Sequence, residues 1–434
     1  MKRLILSFTL AFTVFSGFSQ HELGLYFMPG TIQSQRYNPA FLQDEKINIG
    51  LISLGTGVGN TGFSFGDIIL PVSGTSQTEL DVSNAIGIMD DMNHLRFRTA
   101  VDAMNVSVKL RDLQVGFGYQ AIADAYFQYP KTLAELAWEG NTQFVGNEVN
   151  IAPGFQAQAY HEFALSAGWS VNSFLQAGLR MKYLVGLANL SSGNQSATVL
   201  TDPSHYATTV TTDYVIRSSM IDMGTPDNIS FEFEPSPFTQ NTGYAVDAGL
   251  VVQLTKRISV AVSGVNLLNS INWQDSVTQY TSNGSYTFAG VDAGEALTGG
   301  EVEFEATLDS ISERLDFVES NDTYTTNVPT QVYASVHFNP ISSFRLGALF
   351  FQEFYRGEQF PGMMLSASKD VGKVLTAGLT YSMRKRSFEN LGANIMLRGG
   401  PVVLFMVTDN FTSLLSPRSA REFNFRWGLN VALK

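Results

Sequence analysis

Over residues 423–434 apolar and polar residues alternate without a break. Phe423, Phe425, Trp427, Leu429, Val431 and Leu433 fall on one face, and Asn424, Arg426, Gly428, Asn430, Ala432 and Lys434 on the other. Successive side chains of a β-strand point to opposite faces, so this segment has one oily and one polar surface. Such a strand suits a closed barrel in a bilayer, with lipid against one face and a polar lumen against the other. Closure is needed because hydrocarbon offers no partner to an unpaired N–H or C=O.

The alternation recurs in hairpins. Met104, Val106, Val108 and Leu110 lead into a turn at Arg111 and Asp112, and Leu113, Val115, Phe117 and Tyr119 return. Residues 163–169 pair in the same way with 175–183, residues 244–254 with 258–265, and residues 331–338 with 344–351; further hairpins flank 369–373 and 399–401. Their polar rows predict Lys109, Gln114, Gln176, Arg180, Lys182, Asn424, Arg426 and Asn430 as lumen-facing. The intervening connections are read as long loops, at 122–153, 186–207, 266–329, 352–362 and 408–422. Short turns at one end and long loops at the other are the asymmetry of bacterial barrels, with the short turns periplasmic. Counting back from the carboxyl terminus then puts both chain ends in the periplasm. The expected fold is an all-β transmembrane antiparallel barrel of 14 strands, or 16 if residues 208–220 and 229–233 cross as a hairpin. Helical spacing appears at 82–95, at 132–138 and, through Ile311, Leu315 and Val318, within the acidic stretch 301–322.

The amino end predicts how such a barrel would be delivered. Lys2 and Arg3 precede an apolar run at 4–15, with small residues at Gly17 and Ser19, the order of a secretory signal peptide. The run is shorter than the ~20 residues of a membrane-spanning helix. The expected division is a signal peptide at 1–19, a periplasmic or plug-like segment at 20–46 and the barrel at 47–434. The chain contains no cysteine, which excludes a disulfide framework and lipidation at a thiol. Its net charge of −12 argues against a nucleic-acid partner.

Candidate chemistry is sparse. His21, His94, His161, His205 and His337 are scattered without the paired spacing of a zinc site, so neither an enzyme nor a cofactor is indicated. Gly55, Gly57 and Gly59 lack the Lys-Ser/Thr ending of a phosphate loop and read as a flexible turn. The carboxylates of 301–322 lack calcium-loop spacing and read as solvated surface. Arg384, Lys385 and Arg386 read as a solvated turn, with lipopolysaccharide as the anion they would meet.

Tyr37-Asn38-Pro39-Ala40-Phe41 resembles the "NPA" element near the amino terminus of FadL-like and PorV/PorP-like barrels. Pro39 fixes its own φ and keeps Asn38 extended, so a short turn here can aim the segment into the lumen. Together with residues 135–141, 178–186, 247–250, 408–410 and 426–430, this element makes nearly the whole mature chain similar to a Bacteroidota family of outer-membrane barrels with no assigned function. FadL-like membership implies about 14 strands, an amino-terminal plug and, in the transporters, a side opening into lipid. PorV/PorP-like membership implies service to type IX secretion or gliding. Two functions are therefore expected. One is passage of a small apolar molecule across the outer membrane, which predicts a kinked or interrupted wall strand. The other is a non-enzymatic partner subunit of an envelope machine, which predicts co-purifying envelope proteins. The partners expected are outer-membrane lipid and lipopolysaccharide, other envelope proteins and a hydrophobic small molecule.

Overall fold

The computed structural model describes residues 22–71, 78–225, 228–233, 239–288, 317–384 and 387–434. Fourteen antiparallel strands form the wall: β1 (Ile47–Asn60), β2 (Met92–Leu110), β3 (Leu113–Pro130), β4 (Gly154–Ser170), β5 (Leu175–Thr201), β6 (Thr242–Gln253), β7 (Ile258–Trp273), β8 (Thr330–Ile341), β9 (Phe344–Tyr355), β10 (Glu358–Val371), β11 (Leu375–Arg384), β12 (Ser387–Gly399), β13 (Val402–Thr408) and β14 (Glu422–Leu433). Each pairs with the next, and β14 pairs with β1 from Ile47↔Leu433 to Gly59↔Glu422, which closes the sheet. The two-residue side-chain period decides the rest. Leu165, Met181 and Leu365 face outward and are more than half exposed, whereas Asp102, Asp247 and Asn424 on the opposite rows are at most 1% exposed. An oily exterior around a polar interior is what a bilayer demands of a barrel.

The strands Thr208–Ser219 and Val277–Phe288 pair with each other, and the first also pairs with the far end of β5 at 189–201. They extend the sheet beyond the wall instead of crossing, so the count is 14. Asn228–Phe233 pairs separately with Ile221–Thr225. A helix occupies Lys131–Glu139, matching the spacing at 132–138, but the expected helix at 82–95 is only Val82–Gly87, because Met92 already begins β2. Of the acidic stretch 301–322, residues 301–316 lie outside the described residues, as does the expected signal peptide. Val318 sits in a short strand, Val318–Ser320, not in a helix, since it pairs with Thr281.

Several expected loops are strand. β3 runs to Pro130, β5 to Thr201 and β7 to Trp273, well past the ends at 122, 186 and 266 that the alternation suggested. Beyond the bilayer an outward residue need not be apolar, so the strand persists where its sequence signal stops. The expected loop 352–362 is a two-residue turn between β9 and β10. Arg356 and Gly357 both have positive φ, 51° and 82°, the pair of values that matches the twist of a tight hairpin. Gly55, Gly57 and Gly59 form no turn; they lie inside β1. A Cβ on Gly55 would collide with the Arg426 guanidinium, so the glycine makes room for that side chain in the lumen.

Candidate functional site

Residues 22–46 thread the inside of the barrel. Two 3-10 turns, Leu23–Phe27 and Ile32–Arg36, are joined through Pro29 and Gly30, and most of their residues are buried. The free N–H groups at the start of the first turn need acceptors, and the Asp409 carboxylate takes both: Leu23 N donates at 2.7 Å and Gly24 N at 2.8 Å. Arg384 and Asn424 hold that carboxylate from the other side. Arg384 thus turns inward, paired also with Glu422, and is not part of a solvated turn. Lys385 and Arg386 lie outside the described residues.

Tyr26 then enters an aromatic nest. Its ring lies 5.0 Å from Phe41, 5.7 Å from Tyr333 and 6.0 Å from His337, and its hydroxyl bonds Ser335 Oγ at 2.8 Å. Edge-on (Phe41), tilted (Tyr333) and stacked (His337) rings at such distances add to the stabilisation from burial. Further along, Gln33 and Asn430 exchange reciprocal amide bonds of 2.8 and 2.9 Å. Gln43 N donates to Gln114 Oε1 at 2.8 Å, and Lys109 Nζ donates to the Gln43 carbonyl at 3.2 Å. Gln176 is half-buried near the tight-turn end of β5.

Asn38, Pro39 and Ala40 sit against a shelf of glycines. Gly168, Gly178 and Gly249 are register partners on β4, β5 and β6. On Gly178 a Cβ would strike the main chain of Pro39 and Ala40; on Gly249 it would strike the Asn38 side chain. Three adjacent strands therefore omit their side chains where the turn arrives. Asn38 Oδ1 accepts Ala40 N at 2.9 Å, which folds the turn on itself, and Phe41 N donates to the Asn38 carbonyl at 3.0 Å.

A buried ionic lattice joins this segment to the wall. Glu22 contacts Arg426 Nε at 3.0 Å, and Arg426 Nη1 contacts Asp102 at 3.0 Å. Asp102 pairs with Arg36, whose other nitrogen approaches Glu162 at 3.9 Å. Glu162 meets Arg180 at 2.8 Å and Lys182 at 3.6 Å, and Lys182 meets Asp247 at 2.8 Å. Four carboxylates thus face four cations, which keeps this lattice neutral while both signs are buried. Burial lowers the Arg36 guanidinium to about 10 and Asp102 opposes the shift, so Arg36 remains charged at neutral pH. Deeper toward the long-loop end, Arg96 and Arg98 balance Asp124 and Glu353 in a second group.

The lattice ends on a break in the wall. The β7–β8 ladder runs from Ile258↔Phe338 to Val265↔Gln331 and stops. Beyond, β7 carries positive φ at Asn266 (54°) and Leu268 (48°), its register with β6 shifts, and pairing resumes only where 271–273 meet Tyr324–Thr326. Across the gap the side chains of Asn266, Asn269, Asn327 and Thr330 replace the ladder. Asn266 Nδ2 donates to the Pro329 carbonyl at 2.8 Å, Asn269 Nδ2 donates to Thr330 Oγ1 at 3.0 Å, and Val328 N donates to Asn269 Oδ1 at 2.7 Å. Leu268, at 81% exposed, projects outward from the same kink. Lys182 Nζ donates to Asn266 Oδ1 at 2.6 Å, which connects the lattice to the seam.

Among the described residues the amino-terminal segment packs into the lumen. Near the long-loop end a cavity of about 30 Å³, lined by His94, Arg96, Tyr126, Phe360 and Arg384 among others, has room for about one or two waters. The described histidines are dispersed: His94 bonds Tyr126, His161 bonds Tyr119, and His337 bonds Ser335. Among the described residues no cluster of His, Asp and Glu could hold a metal. Alternation marks an inward row but not what it pairs with, so Glu162, Asp102, Asp247, Asn266 and Asn269 escape a sequence reading. The one available signal was glycine recurring on inward parity at 168, 178 and 249.

A family model described as "Family of unknown function (DUF5723)" matches residues 39–409. No curated protein sequence matches the chain. Among solved structures, the Ralstonia pickettii toluene transporter TbuX is similar at a TM-score of 0.44 and 10% identity, covering 92% of this chain and 93% of that one. A Pseudomonas aeruginosa FadL homologue is similar at 0.42 and 10%, covering 92% and 94%. The P. putida toluene transporter TodX is similar at 0.39 and 8%, covering 91% and 90%.

Proposed function

We propose a function for the chain, which belongs to the DUF5723 family of unknown function: it is an outer-membrane barrel that passes a small apolar molecule sideways into the bilayer. The observation that carries this reading is the β7–β8 seam. Past Val265↔Gln331 the β7–β8 pair is held by a few side-chain bonds of Asn266, Asn269, Asn327 and Thr330 in place of a continuing backbone ladder, and with each net hydrogen bond worth about 1 kcal/mol this stretch is the part of the pair that opens at the lowest cost. The seam faces lipid on one side, through Leu268, and the ionic lattice of the amino-terminal segment on the other. In this account residues 22–46 are the stopper, the Tyr26 aromatic nest is the apolar surface the cargo meets, and the tight turns face the periplasm. The protein is non-enzymatic and requires no cofactor.

The chain has no cysteine, which makes the test clean. Asn269→Cys combined with Thr330→Cys places two thiols where the side chains now touch. In proteoliposomes the reduced variant passes a small aromatic hydrocarbon, oxidation brings flux to background, and reductant restores it. Flux that ignores oxidation of a verified disulfide would remove the seam from the route.

A further inference from the structure

We infer that the tight-turn rim is a binding ring for anionic phospholipid headgroups in the leaflet that surrounds it. The inference needs the barrel to sit in a membrane but does not need it to transport anything. The rim is built as one rigid belt, since successive turns are hydrogen-bonded to their neighbours: Lys109 N to Lys46 O at 2.8 Å, Gln253 N to Phe174 O at 2.7 Å, Asn339 N to Arg257 O at 2.8 Å and Arg398 N to Val374 O at 2.7 Å.

Exposed cations stand at three of the tight turns of this belt. Arg111 is in the β2–β3 turn, Lys256 and Arg257 are in the β6–β7 turn, and Lys369 and Lys373 flank the β10–β11 turn. Lys369 lies on the outward row of β10, in line with Met363 and Leu365, where a long side chain can reach from the apolar band to a phosphate. The acids near the rim are fewer. Asp370 is closed in a two-bond pair with Arg345, at 2.7 and 2.8 Å, leaving Asp44 and Asp112 exposed.

Beside the cations are exposed apolar side chains: Leu110, Trp169, Phe174, Leu254, Ile341 and Val374. Apolar groups at acyl-chain depth next to basic groups at phosphate depth are what a headgroup interface selects. The positive ring also runs against the rest of the molecule. The chain carries −12 overall, and the long-loop end exposes Glu79, Asp91, Glu139, Glu148 and Asp202. The cationic turns are spread around the circumference, four strands apart from β2 to β6 and from β6 to β10. A leaflet meets all of them at once, whereas a protein docking on one side would not.

The test loads the refolded full chain with an equimolar mixture of phosphatidylglycerol and phosphatidylcholine of identical acyl chains, then counts retained lipids by native mass spectrometry. The wild type should retain phosphatidylglycerol severalfold over phosphatidylcholine, and about 0.5 M salt should erase the preference by screening exposed charge. Arg111→Glu, Lys256→Glu, Arg257→Glu and Lys373→Glu combined should retain the two lipids equally, while Arg418→Glu at the opposite end keeps the preference. Equal retention by the wild type would overturn the proposal and hand the ring to a protein partner. A preference that survives either salt or the four substitutions would overturn it as well. Should the fourfold variant not fold, judged by heat-dependent mobility, the wild-type salt titration still decides.

Discussion

Gly178→Val will expel the Asn38-Pro39-Ala40 turn from its seat while leaving the barrel closed. The added Cβ would lie against the Pro39 carbonyl and the Ala40 nitrogen, which are main-chain atoms and cannot rotate away. Overpacking a filled interior costs about 1–3 kcal/mol, and a backbone obstacle puts this case at the upper end. The flanking register partners Gly168 and Gly249 are already glycine, so the shelf has no slack to absorb the change. The wall itself loses no ladder bond, because β-branched residues suit strands. Hydrogen exchange should therefore rise sharply in residues 22–46 and stay slow in β4–β6. Gly284→Val is the matched control, since nothing lies within 4 Å of the Cβ it would gain. Unchanged exchange in 22–46 of the Gly178 variant would mean that the turn does not sit where the account puts it.

Glu162→Ala has the second large expected effect. Glu162 is 5% exposed and serves Arg180, Lys182 and Arg36. Arg36 and Lys182 keep Asp102 and Asp247, but the one ion pair of Arg180 among the described residues is with Glu162. Removing one partner from a buried ionic group costs about 3–5 kcal/mol, because the charge left behind has neither water nor a counter-ion. Denaturant unfolding of the refolded protein should show a loss of that order. Glu162→Gln should lose less, since the amide oxygen can still accept from Arg180. Equal stability of the alanine variant and the wild type would show that water reaches this part of the lumen.

How far each element was legible follows from the range of the forces that shape it. The wall was readable because a bilayer imposes a period of two that survives in most of the strands, as at Phe423 to Leu433, though not in the glycine-rich β1. Outside the bilayer that constraint lapses. The extensions of β3, β5 and β7, and the Arg356-Gly357 turn, accordingly read as loops in the sequence. Interior pairing is hidden for a different reason. Arg426 meets Asp102, 324 positions away, and Glu22, 404 positions away, and only closure of the sheet brings them together. Asn266 and Asn269 look like ordinary polar residues until the missing ladder beside them is seen. Asn38-Pro39-Ala40 could be singled out by its proline, yet its seat on three glycines is a tertiary fact.

The central claim is that the amino-terminal segment keeps a 14-strand pore shut. Planar-bilayer conductance tests it most directly, on the refolded protein with and without residues 22–46. The account predicts a silent wild type and a steady ion conductance from the shortened chain, because emptying the lumen leaves a polar channel through the wall. A wild type that conducts as much as the shortened chain, or a shortened chain that folds yet stays silent, would contradict it.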